Sequence, residues 1–144
     1  MITDKQLEFA SAQAVTAQAV STNVVDLKKA GIDIGAGENV YVHVNCDVAM
    51  TDSGSDSTIT AELVTDDNSG MSSAVVVQTL GVFPALSAVG AKVLARIQPS
   101  NLFERYIAIR FTPTGGNLTT GSFSAHILKD ADVQKSYASG FTIA

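Results

Sequence analysis

The sequence predicts an all-β fold, a sandwich or barrel of antiparallel strands. The first observation is an alternation of apolar and polar residues with a period of two, which recurs along the chain and is clearest from Val40 to Val48. The second is the turn chemistry between these segments, as in "TDSGSDS" (51–57) and "TPTGGN" (112–117). With 144 residues, the chain is long enough for one domain with a proper core.

The first element, "SAQAVTAQAVSTNVVDL" (11–27), is ambiguous between helix and strand. A helix would bury only a thin stripe of Ala12, Val15 and Ala19, and alanine buries little area. The β-branched residues that follow favour a strand. We therefore predict an extended arm or edge strand over residues 1–20 and a strand over Thr22–Leu27. We also expect a chain that lacks residues 1–18 to fold.

The later elements follow from the same alternation. The inward positions are predicted, in chain order, as Val40, Val42, Val44, Cys46, Val48; Ile59, Ala61, Leu63; Val93, Ala95, Ile97; Ile107, Ile109, Phe111; Phe123, Ala125 and Ile127. The continuous apolar run in "SSAVVVQTLG" (72–81) predicts a strand covered on both faces. A short helix or an irregular crossing is expected in "PALSAVGAK" (84–92).

Charge is placed unevenly along the chain. No basic residue lies between Lys29 and Lys92, although that interval holds eight of the 14 acids. We interpret this as a solvated acidic surface that aids solubility. The net charge of -5 argues against a nucleic-acid partner, because phosphate binding requires clustered Lys and Arg. No apolar run approaches the roughly 20 residues needed to span a bilayer, and no signal peptide is expected at the N-terminus.

The sequence offers no active site, so we predict that the protein is not an enzyme and has no cofactor. Cys46 is expected to be a buried apolar residue without a base beside it. The histidines His43 and His126 could meet across a sheet, but no third ligand is evident, so zinc is not expected. The acids of "DSGSDS" and "DDNSG" lack the spacing of a calcium loop, and we predict no metal site. A pair of carboxylates that includes Glu62 or Glu104 would be the starting point for glycoside chemistry.

Three local signatures resemble the Bbp16-like family of tailed-phage capsid cement proteins. They are "QAVTAQAVSTNVVDL" (13–27), "DIGAGENVYVHV" (33–44) and "YASGFTIA" (137–144). The resemblance covers essentially the whole chain and is most specific at its two ends. One departure is Lys28-Lys29-Ala30, where the family pattern leads us to expect Gly or Ala after Asp26-Leu27.

The resemblance implies one jelly-roll-type antiparallel β-sandwich over residues 1–144, with extended N- and C-terminal segments. It implies a dimeric structural virion protein on the outer surface of the capsid, assembled in the host cytoplasm, that bridges major capsid proteins of the HK97-like fold. We expect the partner interface in the arm and in the apolar tail (137–144), at Gln13, Val15, Thr16, Gln18, Val20, Tyr137, Ser139, Gly140, Phe141 and Ile143. The tail could equally be the last strand of its own sandwich.

An alternative function is carbohydrate binding by a lectin-like jelly roll on the virion surface, since jelly rolls serve both capsids and lectins. Lectin sites usually stack sugars on exposed aromatic rings. The chain has no Trp, and only Tyr41, Tyr106 and Phe103 are candidates for this role.

Overall fold

The computed structural model describes residues 4–28, 39–98 and 100–129. A 3₁₀ turn (Lys5–Leu7) precedes nine strands: β1 (Glu8–Ala14), β2 (Ala19–Val20), β3 (Val25–Asp26), β4 (Tyr41–Thr51), β5 (Thr58–Asp66), β6 (Val75–Phe83), β7 (Lys92–Arg96), β8 (Tyr106–Thr114) and β9 (Thr120–Leu128). Within these ranges no helix is long and apolar enough to cross a membrane. The prediction of an all-β fold is confirmed.

The strands form two antiparallel sheets packed face to face. Sheet A has the order β1-β9-β4-β7 and sheet B the order β2-β8-β5-β6, with β3 also paired to β8. The chain passes repeatedly from one sheet to the other, and two antiparallel sheets joined in this way are the arrangement of a jelly roll. The predicted jelly-roll-type sandwich is therefore the observed architecture.

The core lies between the sheets and consists of the inward residues of both. The rings of Phe83 and Phe111 both pack against that of Phe123, with centroid distances of 5.0 Å and 5.3 Å. The predicted inward residues of β4, β5, β8 and β9 are buried as expected, with one exception. Val48 is 49% exposed, because a bulge between Cys46 and Val48 shifts the register against β9.

The apolar run 72–81 is not covered on both faces, contrary to the prediction. It forms β6, which is the edge strand of sheet B, and Val75 is 53% exposed. A run of apolar residues does not by itself separate a central strand from an edge strand, since that depends on which strands pair. The segment 84–91 is an irregular crossing to β7, which is one of the two predicted outcomes.

One side of the sandwich is joined by a side chain rather than by a strand. Gln78 of β6 donates from Nε2 to the carbonyl oxygen of Arg96 at 2.8 Å. Its Oε1 accepts the backbone N–H of Gln98 at 3.0 Å. The amide thus makes the pair of hydrogen bonds that a neighbouring strand would make, and it connects the edge of sheet B to the edge of sheet A.

The N-terminal segment lies on its own sandwich. β1 is an edge strand of sheet A paired with β9, and β2 pairs with β8 in sheet B. The predicted strand Thr22–Leu27 is shorter in the structure, where only Val25–Asp26 is a strand. The hydroxyl of Ser21 accepts the N–H of Ile109 at 3.1 Å, and Asn23 donates its N–H to Phe9, so the chain here crosses between the sheets.

Candidate functional site

An open cleft of about 500 Å³ lies on the outer face of sheet B. One wall is formed by Gln18 and the short strand β2. The other is the connection between β5 and β6. Its lining residues are Gln18, Ala19, Val20, Met71, Ser72, Ser73, Ala74 and Arg110. This volume falls within the range of about 300–1,000 Å³ typical of ligand sites.

The second wall exists because the β5–β6 connection folds back over the sheet. Met71 packs with Val64 and Ala108 in a small apolar cluster on the outer face of sheet B. Asp66 fixes this connection, since its carboxylate accepts the N–H of Asn68 at 3.0 Å and that of Ser73 at 2.8 Å. These backbone hydrogen bonds, that of Asn68 first, lower the pKa of Asp66.

Arg110 supplies positive charge at the cleft. In the register of the sheet it lies between Val20 of β2 and Glu62 of β5. Its Nε and Nη2 both approach Glu62 Oε2, at 3.0 Å and 2.9 Å. Thr112 donates to the same oxygen at 3.2 Å. Arg110 is therefore held in place by Glu62. Among the described residues no hydrogen bond engages its Nη1, which can donate to a bound partner.

The five interface residues predicted in the arm have different positions in the structure. Gln18 and Val20 line the cleft, and Thr16 is exposed. Val15 is fully buried in the core, so its side chain does not reach a partner surface. Gln13 donates to the carbonyl of Val20 at 3.0 Å and accepts a backbone N–H at 2.8 Å, so its amide connects the two sheets as Gln78 does on the other side.

The predicted tail residues lie outside the described residues. These are Tyr137, Ser139, Gly140, Phe141 and Ile143, and the "DIGAGE" turn (33–38) lies outside them too. Their assignment to an interface or to a turn stays a prediction.

Cys46 is confirmed as a buried residue. It is 0% exposed, and its Sγ donates to the carbonyl of Val48 at 3.2 Å. Burial, then the negative charge of Asp47, raises the pKa of the Cys46 thiol, which keeps it protonated and unreactive.

Three acids gather near the β5–β6 connection. One carboxylate oxygen each from Asp66, Asp67 and Glu104 lies within 4.8 Å of the others. Since Asp66 serves the backbone of its own loop, the arrangement is explained by the fold.

The Bbp16 family model matches residues 9–127, which run from the start of β1 almost to the end of β9. The chain belongs to the Bbp16 family. No curated protein matches the chain. The match to the Bbp16 model spans both sheets, so the family relationship covers the whole sandwich and both walls of the cleft.

Sequence reasoning missed most of the residues that line this cleft. It selected Gln18 and Val20, but Arg110 and the segment 71–74 entered only as strand and turn residues. The available signal was Met71, a large apolar residue inside a turn segment where nothing in the alternation requires one. Arg110 had no such signal, because its neighbours Val20 and Glu62 are distant in sequence.

Proposed function

We propose that this Bbp16-family protein is a capsid cement protein. It binds the outer surface of a phage head, bridges major capsid proteins of the HK97-like fold and acts as a dimer on the virion after assembly in the host cytoplasm. The observation that carries the proposal is the family match over residues 9–127, joined to the resemblance of its local signatures to phage cement proteins. The mechanism is thermodynamic. A protein that binds only where two capsid subunits meet stabilises the assembled shell by mass action.

The architecture supports a mechanical role. Two glutamine amides join the sheets along opposite sides of the sandwich, and the hydrogen-bond partners of these amides are backbone groups. Repetition of a modest contact over a lattice multiplies its effect, so each copy needs only moderate affinity. A rigid sandwich suits this role, because little conformational freedom is lost on binding.

We propose that the docking face is the outer face of sheet B around the cleft. The exposed Gln18 lines the cleft with Arg110, whose guanidinium is already oriented by Glu62. The half-buried Val20 and Ala74 add apolar area, and the exposed Ser72 and Ser73 add hydroxyl groups. This combination fits an extended partner segment that offers a small apolar side chain and a carboxylate or carbonyl oxygen.

The test is co-sedimentation of the purified full chain with phage heads that lack it. Gln18→Glu and Ser72→Glu place negative charge at the cleft on exposed positions, so the fold is retained, and binding should fall at least tenfold. Leu94→Glu on the outer face of sheet A is the matched control, since Leu94 is also exposed, and it should bind as the wild type does. If only Leu94→Glu lost binding to the heads, the docking face would be on sheet A. Absence of binding by the wild-type chain would reject the cement function.

The lectin alternative is less well supported by the geometry. Among the described residues no aromatic side chain lines the cleft, and Phe103 packs partly buried against the core. Tyr106 lies against the guanidinium of Arg105, 4.9 Å from its ring centroid. A glycan array that gave specific binding, abolished by Tyr41→Ala or Tyr106→Ala, would revive it.

A further inference from the structure

Large apolar side chains are exposed on the irregular crossing (84–91) between β6 and β7. Leu86 is 53% exposed, and Val89 is 67% exposed. Val48 of β4 is 49% exposed as well. One exposed apolar residue is common on a protein surface, but a contiguous group of them indicates an interaction site.

Val48 lies beside the crossing, because the crossing is hydrogen-bonded to β4 on both sides of it. Met50 donates its N–H to the carbonyl oxygen of Ser87 at 2.9 Å, and Gly90 donates its N–H to that of Cys46 at 2.8 Å. Val48 is in the stretch of β4 between these two hydrogen bonds. The three exposed residues are therefore neighbours, and they are named the crossing patch (Val48, Leu86 and Val89).

Leu86 has a backbone conformation that usually requires glycine. It is the third residue of the turn 84–87, with a φ of 57°. In the next turn, 88–91, the corresponding residue is Gly90, with a φ of 87°. A side chain costs stability at such a φ. Met71 has a φ of 51°, but it is buried in an apolar cluster that offsets the cost. Leu86 is not buried in this way, so the stability of the fold does not explain a leucine at this position.

The charge distribution indicates what can cover the crossing patch. Residues 68–91 contain no Asp, Glu, Lys or Arg, so the crossing offers no charged group to a charged partner. The chain has a net charge of -5, so two copies repel each other over most of their surfaces but not across an uncharged one. The charged residues that flank the patch in sequence, Asp47 and Lys92, have opposite signs and add no like-charge repulsion. A second copy of this chain is therefore a suitable partner.

The shape of the crossing also suits contact with itself. Small exposed residues, Ala88 and Gly90, lie on either side of Val89. A Cβ atom at Gly90 would meet no other described atom within 4 Å, so the space beside it is open. In a two-fold interface the same patch is used by both copies, and each contact occurs twice. Leu86 of each copy can then pack over the small residues of the other.

We propose that the crossing patch is the contact surface between two copies of this chain. The inference rests on the proposed function, since it gives the dimer proposed there a surface. The patch shares no residue with the described lining of the cleft, so both copies keep their clefts free for the capsid. Three aliphatic side chains make a contact smaller than the roughly 1,200–2,000 Å² of a standard interface, so the dimer is weak in solution. Repetition over the capsid lattice strengthens it there.

The test is sedimentation velocity of the purified full chain without phage heads. Between about 1 and 500 μM the wild type should pass from monomer to dimer, with a Kd on the order of micromolar. Leu86→Asn and Val89→Asp should each weaken dimerisation at least tenfold. Asn tolerates a positive φ, so the Tm of Leu86→Asn at low protein concentration should not fall, whereas a merely structural role of Leu86 would lower it. Leu102→Asn is the matched control, because Leu102 is a leucine in another turn with 54% exposure, and it should dimerise as the wild type does.

Three results would overturn the contact. They are a wild type that stays monomeric up to about 500 μM, unchanged dimerisation in both patch variants, or an equal loss in Leu102→Asn. If Leu86→Asn fails to fold, Val89→Asp decides, because Val89 is the more exposed of the two. A dimer that forms through the patch stands even if the chain does not bind phage heads. Loss of the patch leaves head binding to the co-sedimentation experiment, so the two failures are distinguishable.

Discussion

At the scale of single residues, the two glutamines Gln13 and Gln78 determine how the sides of the sandwich are closed. Each amide donates a hydrogen bond to a backbone carbonyl on the other side of the sandwich. Its oxygen accepts a backbone N–H there. A sheet edge with unpaired backbone groups invites pairing with another chain. The amides satisfy part of both edges, so the sandwich needs no further strand there.

Gln78→Ala should therefore lower the free energy of unfolding by about 1–2 kcal/mol, because two hydrogen bonds are lost while water reaches the freed groups. Urea denaturation followed by circular dichroism measures this. Gln98→Ala is the control, since Gln98 takes part through its backbone N–H and its side chain is exposed. Equal effects of the two substitutions would show that the Gln78 amide does not join the sheets.

Residue-scale contacts also explain why sequence reasoning did not find the places that Gln13 and Val15 have in the fold. Both were predicted at a partner interface because nothing nearby in sequence offered them a place in a core. Val15 is buried in the core, and its N–H donates to Gly121. Gln13 bonds to residues seven and nine positions later, through a chain reversal that the sequence pattern does not specify.

At the scale of elements, the connection between β5 and β6 is what creates the cleft. The residues "DDNSG" (66–70) are typical of a turn, but a turn pattern does not say which face of the sheet the segment covers. The carboxylate of Asp66 determines that, because it is 2% exposed and bonds to the backbone on both sides of Met71.

Asp66→Asn should destabilise the fold at neutral pH, since an amide presents an NH₂ group to one of two N–H donors. The pKa of Asp66 is lowered in the folded state, so its contribution is present above the ordinary value of 3.8 and is lost as pH falls through the folded pKa. The wild type should therefore lose more stability than Asp66→Asn between about pH 5 and pH 2. Thermal melts across this range measure the difference. Asp56→Asn, an exposed acid in another loop, should follow the wild type.

At the scale of the whole molecule, the N-terminal segment is an integral part of the sandwich. The expectation that the chain folds without residues 1–18 is revised, because Phe9, Ala10 and Val15 are each 0% exposed in the core. Removal of β1 would also leave the edge of β9 unpaired along its length.

Deletion of residues 1–18 should thus abolish cooperative unfolding. Phe9→Ala alone should cost about 3–5 kcal/mol, a large part of the roughly 5–15 kcal/mol that stabilises a typical domain. Ser11→Ala on the exposed side of the same strand should cost less than about 0.5 kcal/mol. A cooperative transition in the truncated chain, seen by far-UV circular dichroism during urea titration, would contradict this.

The sequence by itself determined the fold class and most of the core. The period of two is a local property of the pleated chain, so Val42, Val44, Ile59, Ile109 and Phe123 could be assigned to the interior before any strand was paired. The alternation failed only where it was interrupted by a bulge, at Val48.

Only the tertiary structure decided which strands are neighbours and therefore which functional groups meet. The contact of Glu8 with His126 depends on β1 lying beside β9, and the cleft at Arg110 depends on β2 lying beside β8. The paired residues Glu8 and His126, and likewise Val20 and Arg110, are about 90 or more positions apart in the sequence. No local pattern fixes such a pairing, because it is set by how the whole set of inward side chains packs into one core.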